Sequence, residues 1–207
     1  MIFVMIAASI AIIGCNYIGN QNFTETFYSV SSLKVNNKIR IIQISDLHSC
    51  SYGKDNYKIV SRVKKLKPDL IIYTGDMIDS KIDSIENTVS LCKQLSKIAP
   101  SYFIYGNNEV EKYYDVILTQ EELDKKFGFN DNNRQPGKLL ENTDSLTKKL
   151  ENSGVKVLKN NSETILVGTT QVDIYGVLTS NPSSFWSYAG ESFDKYMFSN
   201  ENNFKIT

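Results

Sequence analysis

The sequence predicts an α/β domain in which a parallel sheet is covered by helices. Short β-branched runs alternate in order with segments whose apolar residues recur at helical spacing, giving β-α-β-α-β. The runs are apolar at nearly every position, as strands buried on both faces are. Size agrees: 207 residues, 41% hydrophobic and 22% charged, suffice for one core and are few for two domains. That composition excludes a wholly disordered, collagenous or multi-span membrane chain.

The elements follow in order. Phe27 to Leu33 alternates loosely like a leading strand, and Ile39 to Ile44 is a β-branched run bounded by polar residues. Asp55 to Leu66 places Ile59, Val60, Val63 and Leu66 on one helical face, with Gly53 before it and Pro68 stopping it. Leu70 to Thr74 repeats the strand signal. Ile85, Val89, Cys92, Leu95 and Ala99 mark a second helix, opened by Asp83 with Glu86 three residues on and ended by Pro100. Tyr102 to Tyr105 supplies a third strand. The Asn- and Gly-rich stretch 127–137 reads as an exposed excursion, and Leu139 to Asn152 as a helix stopped by Gly154. Val155 to Leu158, Thr164 to Val167 and Val172 to Val177 read as strands, the last two joined at Gly168-Thr169-Thr170. Ser183 to Phe198 reads as helical, and Phe204 to Thr207 alternates as a strand. No turn or cap follows Thr207, which predicts a domain truncated there. Internal repeats and low-complexity tracts are absent.

Met1 to Gly14 is almost unbroken apolar sequence, and no Lys or Arg precedes Lys34. Residues 1–18 are therefore set apart from the domain at 27–207 as a hydrophobic anchor or lipoprotein signal. The run is shorter than the roughly 20 residues of a spanning helix, while Ile12-Ile13-Gly14-Cys15 resembles a lipoprotein cleavage box. A buried first strand or helix is the structural alternative. Twenty-three basic residues balance 23 acidic ones, so no net field draws nucleic acid to the chain. Cys15, Cys50 and Cys92 form no C-x-x-C pair, which argues against a disulfide framework or zinc ribbon. One histidine is present.

Chemistry in an open parallel sheet gathers beyond the carboxyl ends of its strands. Asp46-Leu47-His48 follows the first, Gly75-Asp76 with Asp79 the second, and Gly106-Asn107-Asn108-Glu109 the third. Asp46 and His48, two apart, face the same way in an extended segment. Glycine before Asp76 and before Asn107 frees the backbone to turn. Carboxylates, an imidazole and an amide oxygen suit Mn, Fe or Zn better than calcium. Read singly, each of these pieces is more often an ordinary loop or turn.

Together the three motifs, I-S-D-L-H at Ile44 to His48, T-G-D-M-I-D at Thr74 to Asp79 and Y-G-N-N-E at Tyr105 to Glu109, resemble the calcineurin-like metallophosphoesterases. Bacterial membrane-attached members are the closest in look. The resemblance covers about Phe27 to Thr207. It implies a four-layer α/β/β/α sandwich with C-terminal strands missing here, and hydrolysis of a phosphate mono- or diester or pyrophosphate bond at two divalent metal ions, Mn, Fe or Zn. By matching position, Asp46 and His48 bind the first ion, Asp76 bridges, and Asn107 binds the second, with Asp79 and Glu109 orienting these ligands. The implied substrate is a phosphate-ester small molecule or a lipid-linked one, and the implied location is the extracytoplasmic face of a bacterial membrane, reached through the N-terminus.

Two departures stand out. The family's Gly-Asn-His-Glu histidine is Asn108 here, which donates a hydrogen bond but is no general acid. The family's later histidines, including Gly-His-x-His, have no counterpart, so the ions are expected to bind weakly and activity to be impaired. The rival reading is a non-catalytic relic or binding module that keeps the fold. A flavodoxin-like module is disfavoured because no Gly-rich phosphate loop follows the first strand. Cys50 reads as a loop residue, Phe185, Trp186 and Tyr188 as packing, and Lys64, Lys65 and Lys67 as a solvated helix face.

Overall fold

A computed structural model describes residues 23–79, 85–109, 146–177, 195–197, 199 and 202–207. Strands β1 (Ile41–Ile44), β2 (Leu70–Tyr73), β3 (Ser101–Ile104) and β4 (Lys156–Leu158) form a parallel sheet in the order β1-β2-β3-β4. Helices α1 (Tyr57–Leu66) and α2 (Glu86–Leu95) link its first three strands, and helical residues 146–152 precede β4. A second sheet, β5 (Asn161–Val167), β6 (Thr170–Gly176) and β7 (Phe204–Ile206), pairs antiparallel and then parallel.

Period-2 geometry explains how one strand serves two cores. In β2, Ile71 and Tyr73 pack with Val63, Leu91, Leu95, Leu146 and Leu150 of the helical layer, whereas Leu70 and Ile72 face Val167, Val172 and Ile174 of the second sheet. Every residue of β2 is buried, as a central parallel strand requires. Tyr73 and Phe103 stack across β2 and β3 with centroids 5.6 Å apart. Beyond the second sheet, Tyr196 packs on Tyr175, so helix, sheet, sheet and a helical turn lie in succession. This mixed α/β arrangement, a helix-covered parallel sheet stacked on a second sheet, fits the α/β/β/α sandwich that the family resemblance implies.

The second sheet contains a buried polar knot. Asp173 accepts hydrogen bonds from Thr164 Oγ1 at 2.7 Å and Asn203 Nδ2 at 2.9 Å, and pairs with Lys205 Nζ at 3.2 Å. Lys205 also donates to the Ser199 carbonyl and stands over the Tyr196 ring, 4.7 Å from its centroid. Burial works against a charge on Asp173, but Thr164, Asn203 and Lys205 together hold its carboxyl below the usual aspartate value.

Several expectations shift. Phe27 to Leu33 is not a strand: Phe27, Tyr28, Val30 and Leu33 stand exposed and the segment pairs with no strand among the described residues. Helix α1 opens at Tyr57, two residues late, because Asp55 and Asn56 take left-handed backbone angles in a 3-10 turn. Helix α2 begins at Glu86 after Ile85, with no side-chain cap; Asp83 lies outside the described residues. So do the 127–137 excursion, residues 139–145 of the next helix, residues 1–18, and Phe185, Trp186 and Tyr188.

Candidate metal centre

The register of the parallel sheet brings the three motifs together. Ile44 pairs with Tyr73 and Tyr73 with Phe103, so β1, β2 and β3 end at nearly one level. Asp46 follows the first end by two residues, Asp76 the second by three and Asn107 the third by three.

Past the strand ends, the loops are laced by their backbones. Asp46 N–H donates to the Gly75 carbonyl at 3.2 Å, His48 N–H to the Asp76 carbonyl at 3.0 Å and Ser49 N–H to the Met77 carbonyl at 2.9 Å. Asp46, His48, Ser49 and Asp76 all take positive φ, between 45° and 60°. A left-handed non-glycine residue costs on the order of 1–3 kcal/mol and persists only where its surroundings impose it. Here the interlocked loops impose it at all three of Asp46, His48 and Asp76. Their ligand atoms lie within 4.8 Å of one another. Two ligands each about 2.1 Å from one ion stand up to about 4.2 Å apart, so a small side-chain adjustment closes the set on a cation. Two carboxylates and an imidazole fit a first-row divalent ion.

Asn107 joins from the third loop. With its amide nitrogen toward Asp76, it donates to Oδ2 at 3.0 Å. With its oxygen toward Asp76, two acceptors face each other, an arrangement that a bound cation makes favourable. The Asn108 backbone N–H donates to Asp76 Oδ1 at 3.0 Å, so Asn108 reaches the site through its main chain.

Glu109 is wholly buried beneath these loops. Its Oε2 accepts from Asp76 N–H at 2.8 Å and Gly106 N–H at 2.9 Å, and its Oε1 from Ile78 N–H at 3.0 Å. One carboxylate thus ties the second loop to the third. Burial pushes the Glu109 carboxyl up, the three N–H donors pull it back and the Asp76 charge adds to the rise, leaving it above the usual glutamate value. In Glu109→Gln an amide NH₂ must face a backbone N–H. Stability should fall by about 1–3 kcal/mol and divalent-metal affinity by about 10- to 100-fold, measured by urea unfolding and calorimetric zinc titration.

The two glycines act differently. Gly75 has φ +89°, which its turn requires, and a Cβ there would also collide with the Gly106 backbone. Gly106 needs no positive φ; a Cβ there would lie 2.4 Å from Asp76 Oδ1 and 2.5 Å from Asp76 N. Its reason is close approach, not the freedom to turn.

Asp79 enters through its N–H, which donates to Ser49 Oγ at 3.1 Å. Two residues with no motif also hold the His48 loop. Asn56, fully buried, accepts from Tyr52 N–H and donates to Asn87 Oδ1 at 2.7 Å, and Asn87 Nδ2 donates to the Ser49 and Cys50 carbonyls. The Asp55-Asn56 pair was the available signal, since Asx residues tolerate left-handed angles; Asn87 offers none. Cys50 is an exposed loop residue, as expected.

Comparison with known proteins agrees with this geometry. The chain is 28% identical over 88 residues to a transmembrane protein with metallophosphoesterase domain from Danio rerio, covering 39% of this chain and 20% of that one. It is 30% identical over 83 residues to an uncharacterized metallophosphoesterase of Bacillus subtilis, covering 38% and 29%. With the UDP-2,3-diacylglucosamine pyrophosphatase of Chlamydia muridarum it shares 32% over 78 residues, covering 36% and 24%. The match spans less than a third of each of these relatives. The family model of the calcineurin-like phosphoesterases matches residues 39–202, and to that family of metal-dependent phosphoric ester hydrolases the chain belongs.

Proposed function

We propose that Asp46, His48, Asp76 and Asn107 hold divalent metal ions for hydrolysis of a phosphate mono- or diester or a pyrophosphate bond. The observation that carries this is the convergence of Asp46, His48 and Asp76, each in a left-handed conformation that the fold itself imposes. Bound ions there supply Lewis-acid stabilisation of charge and an activated nucleophile. The protein's part is placement: the loop lacing sets Asp46 and His48, and the Glu109 clamp sets Asp76 against Asn107 and the Asn108 N–H.

Full activity is not expected. Asn108 holds no proton to give near neutral pH, so a leaving group draws one from water, at a cost on the order of 10² to 10⁴ in rate. With one histidine in the 207 residues, Asp76 and Asn107 are the residues proposed to face a second ion among the described ones. Its affinity should be the lower of the two. A non-catalytic binding module with this fold is the second reading, and Asn108 is the observation that favours it.

The N-terminal apolar run is proposed to attach the domain to a membrane, with a lipid-linked phosphate ester as one substrate class. Two points support this: a relative acts on a diacylglucosamine nucleotide and another is named a transmembrane protein. Among the described residues, no helix is long and apolar enough to cross a membrane. The test of catalysis is turnover of bis(p-nitrophenyl) phosphate in manganese. Slow hydrolysis that chelation stops and Asp76→Ala abolishes is the expected result; none above the Asp76→Ala background at saturating metal would leave the binding-module reading.

A further inference from the structure

Eight large hydrophobic side chains stand exposed among the described residues, and four of them, Phe27, Tyr28, Val30 and Leu33, lie within seven consecutive positions. Their exposures run from 69% to 103%. This is no fraying end, because the segment is fastened on both sides. Before it, the Phe23 ring packs edge-on against Tyr52, and Glu25 takes both Nε and Nη2 of Arg62. After it, Asn36 N–H donates to Thr170 Oγ1 at 2.9 Å, and Asn37 Oδ1 accepts from the N–H and hydroxyl of Thr169 and from Thr170 Oγ1. Between these moorings lies a surface arch, residues 27–34, whose four large apolar side chains stand exposed. Contiguous exposed apolar residues mark a contact surface.

We propose that this arch, residues 27–34, seats in the interface of the bilayer that receives the N-terminal apolar run. The inference rests on that run being a membrane anchor, and three observations select lipid as the occupant. Eight residues, 15 to 22, separate Gly14 from the moored Phe23; fully extended they span at most about 29 Å, so an anchored chain holds the arch beside the membrane. Phe and Tyr next to aliphatic residues are the side chains that favour the headgroup boundary. From Thr26 to Ser45 the chain carries Lys34, Lys38 and Arg40 and no acidic residue, although the whole protein is neutral; Lys34 and Lys38 are exposed. That local charge matches an anionic lipid surface. An apolar run shorter than a spanning helix holds weakly by itself, and a second apolar and basic contact makes such attachment stable. Seated this way, the domain meets lipid-linked substrates in a fixed orientation.

The test uses the full 207-residue chain carrying Trp186→Phe and a reporter tryptophan, either Tyr28→Trp in the arch or Leu166→Trp, an exposed apolar position on β5. Both reporters are surface substitutions that leave the core intact. Each protein is mixed with equimolar phosphatidylcholine and phosphatidylglycerol vesicles whose acyl chains are brominated near the headgroup. Both should float with the vesicles; tryptophan at 28 should be blue-shifted and severalfold more quenched than at 166. Flotation with equal, weak quenching at both positions would overturn the arch and leave the anchor standing. Protein that stays in the aqueous fraction would overturn both. A concentration-dependent blue shift at position 28 without vesicles would assign the arch to a second copy of the chain and overturn the lipid contact.

Discussion

Gly106→Ala should sharply weaken divalent-metal binding in a protein that still folds. The new methyl group would stand 2.4 Å from Asp76 Oδ1, 2.5 Å from Asp76 N and 3.0 Å from the Gly75 carbonyl carbon. Two of those three atoms are backbone in a turn held by the Glu109 clamp and the lacing to Asp46 and His48, so no rotamer change relieves the overlap. The loop must move, and Asp76 moves with it. Overpacking of this kind costs about 1–3 kcal/mol, while affinity for zinc or manganese should fall by at least about 100-fold, the upper range for loss of a supporting contact. Gly154→Ala is the control. It sits at φ +87° beside Ser96, away from the cluster, and should lose stability with metal affinity unchanged. Calorimetric titration of both proteins separates a site effect from a folding effect. Wild-type affinity in Gly106→Ala would mean that the contact between the second and third loops does not set Asp76.

The largest stability effect is expected at Asp173→Ala. That substitution leaves the Lys205 ammonium, whose side chain is 14% exposed, without its carboxylate. Removing one partner of a buried pair costs about 3–5 kcal/mol, and Thr164 and Asn203 each lose an acceptor as well. Because β7 is joined to β6 through this knot, the loss should appear as unfolding of the second sheet in urea at neutral pH. The same residue gives a pH dependence. Its folded carboxyl titrates below its unfolded value, near 3.9, so its contribution is fully present above that value. It is lost as pH falls through the lower folded value. Asp173→Asn should therefore flatten the acid limb of the stability profile while leaving the alkaline side unchanged. An unaltered acid limb would show that the pair contributes nothing to acid stability.

How much of this was legible in the sequence follows from what sequence patterns report. Apolar runs and helical spacing report local conformation and burial, so β1 to β4, α1 and α2 fall within a few residues of their expected places. The motifs at three strand ends converge because parallel strands in register must end together. The same logic explains the error at Phe27 to Leu33. Alternation signals an extended backbone but says nothing of a partner strand, and among the described residues this segment has none. Pairing depends on distant residues, as does the polar knot, where Thr164, Asp173 and Lys205 come from three strands and Asn203 from the turn before the last of them. Glu109 was expected to orient the ligands; that it is fully buried and accepts from three backbone N–H groups needed coordinates. Asn56 and Asn87 were invisible because single asparagines in loops and first turns are commonplace. Gly106 was read for its flexibility, whereas only the approach of two loops shows that it is space that matters.

The central proposal is one cation bound jointly by Asp46, His48 and Asp76. Anomalous diffraction at the zinc edge, from crystals of the full chain grown with zinc, tests it most directly. A peak bonded at about 2.0–2.2 Å to a carboxylate oxygen of Asp46, an imidazole nitrogen of His48 and a carboxylate oxygen of Asp76 is the predicted result. Zinc bound elsewhere with that cluster empty, or a peak touching only one of the three, would contradict it.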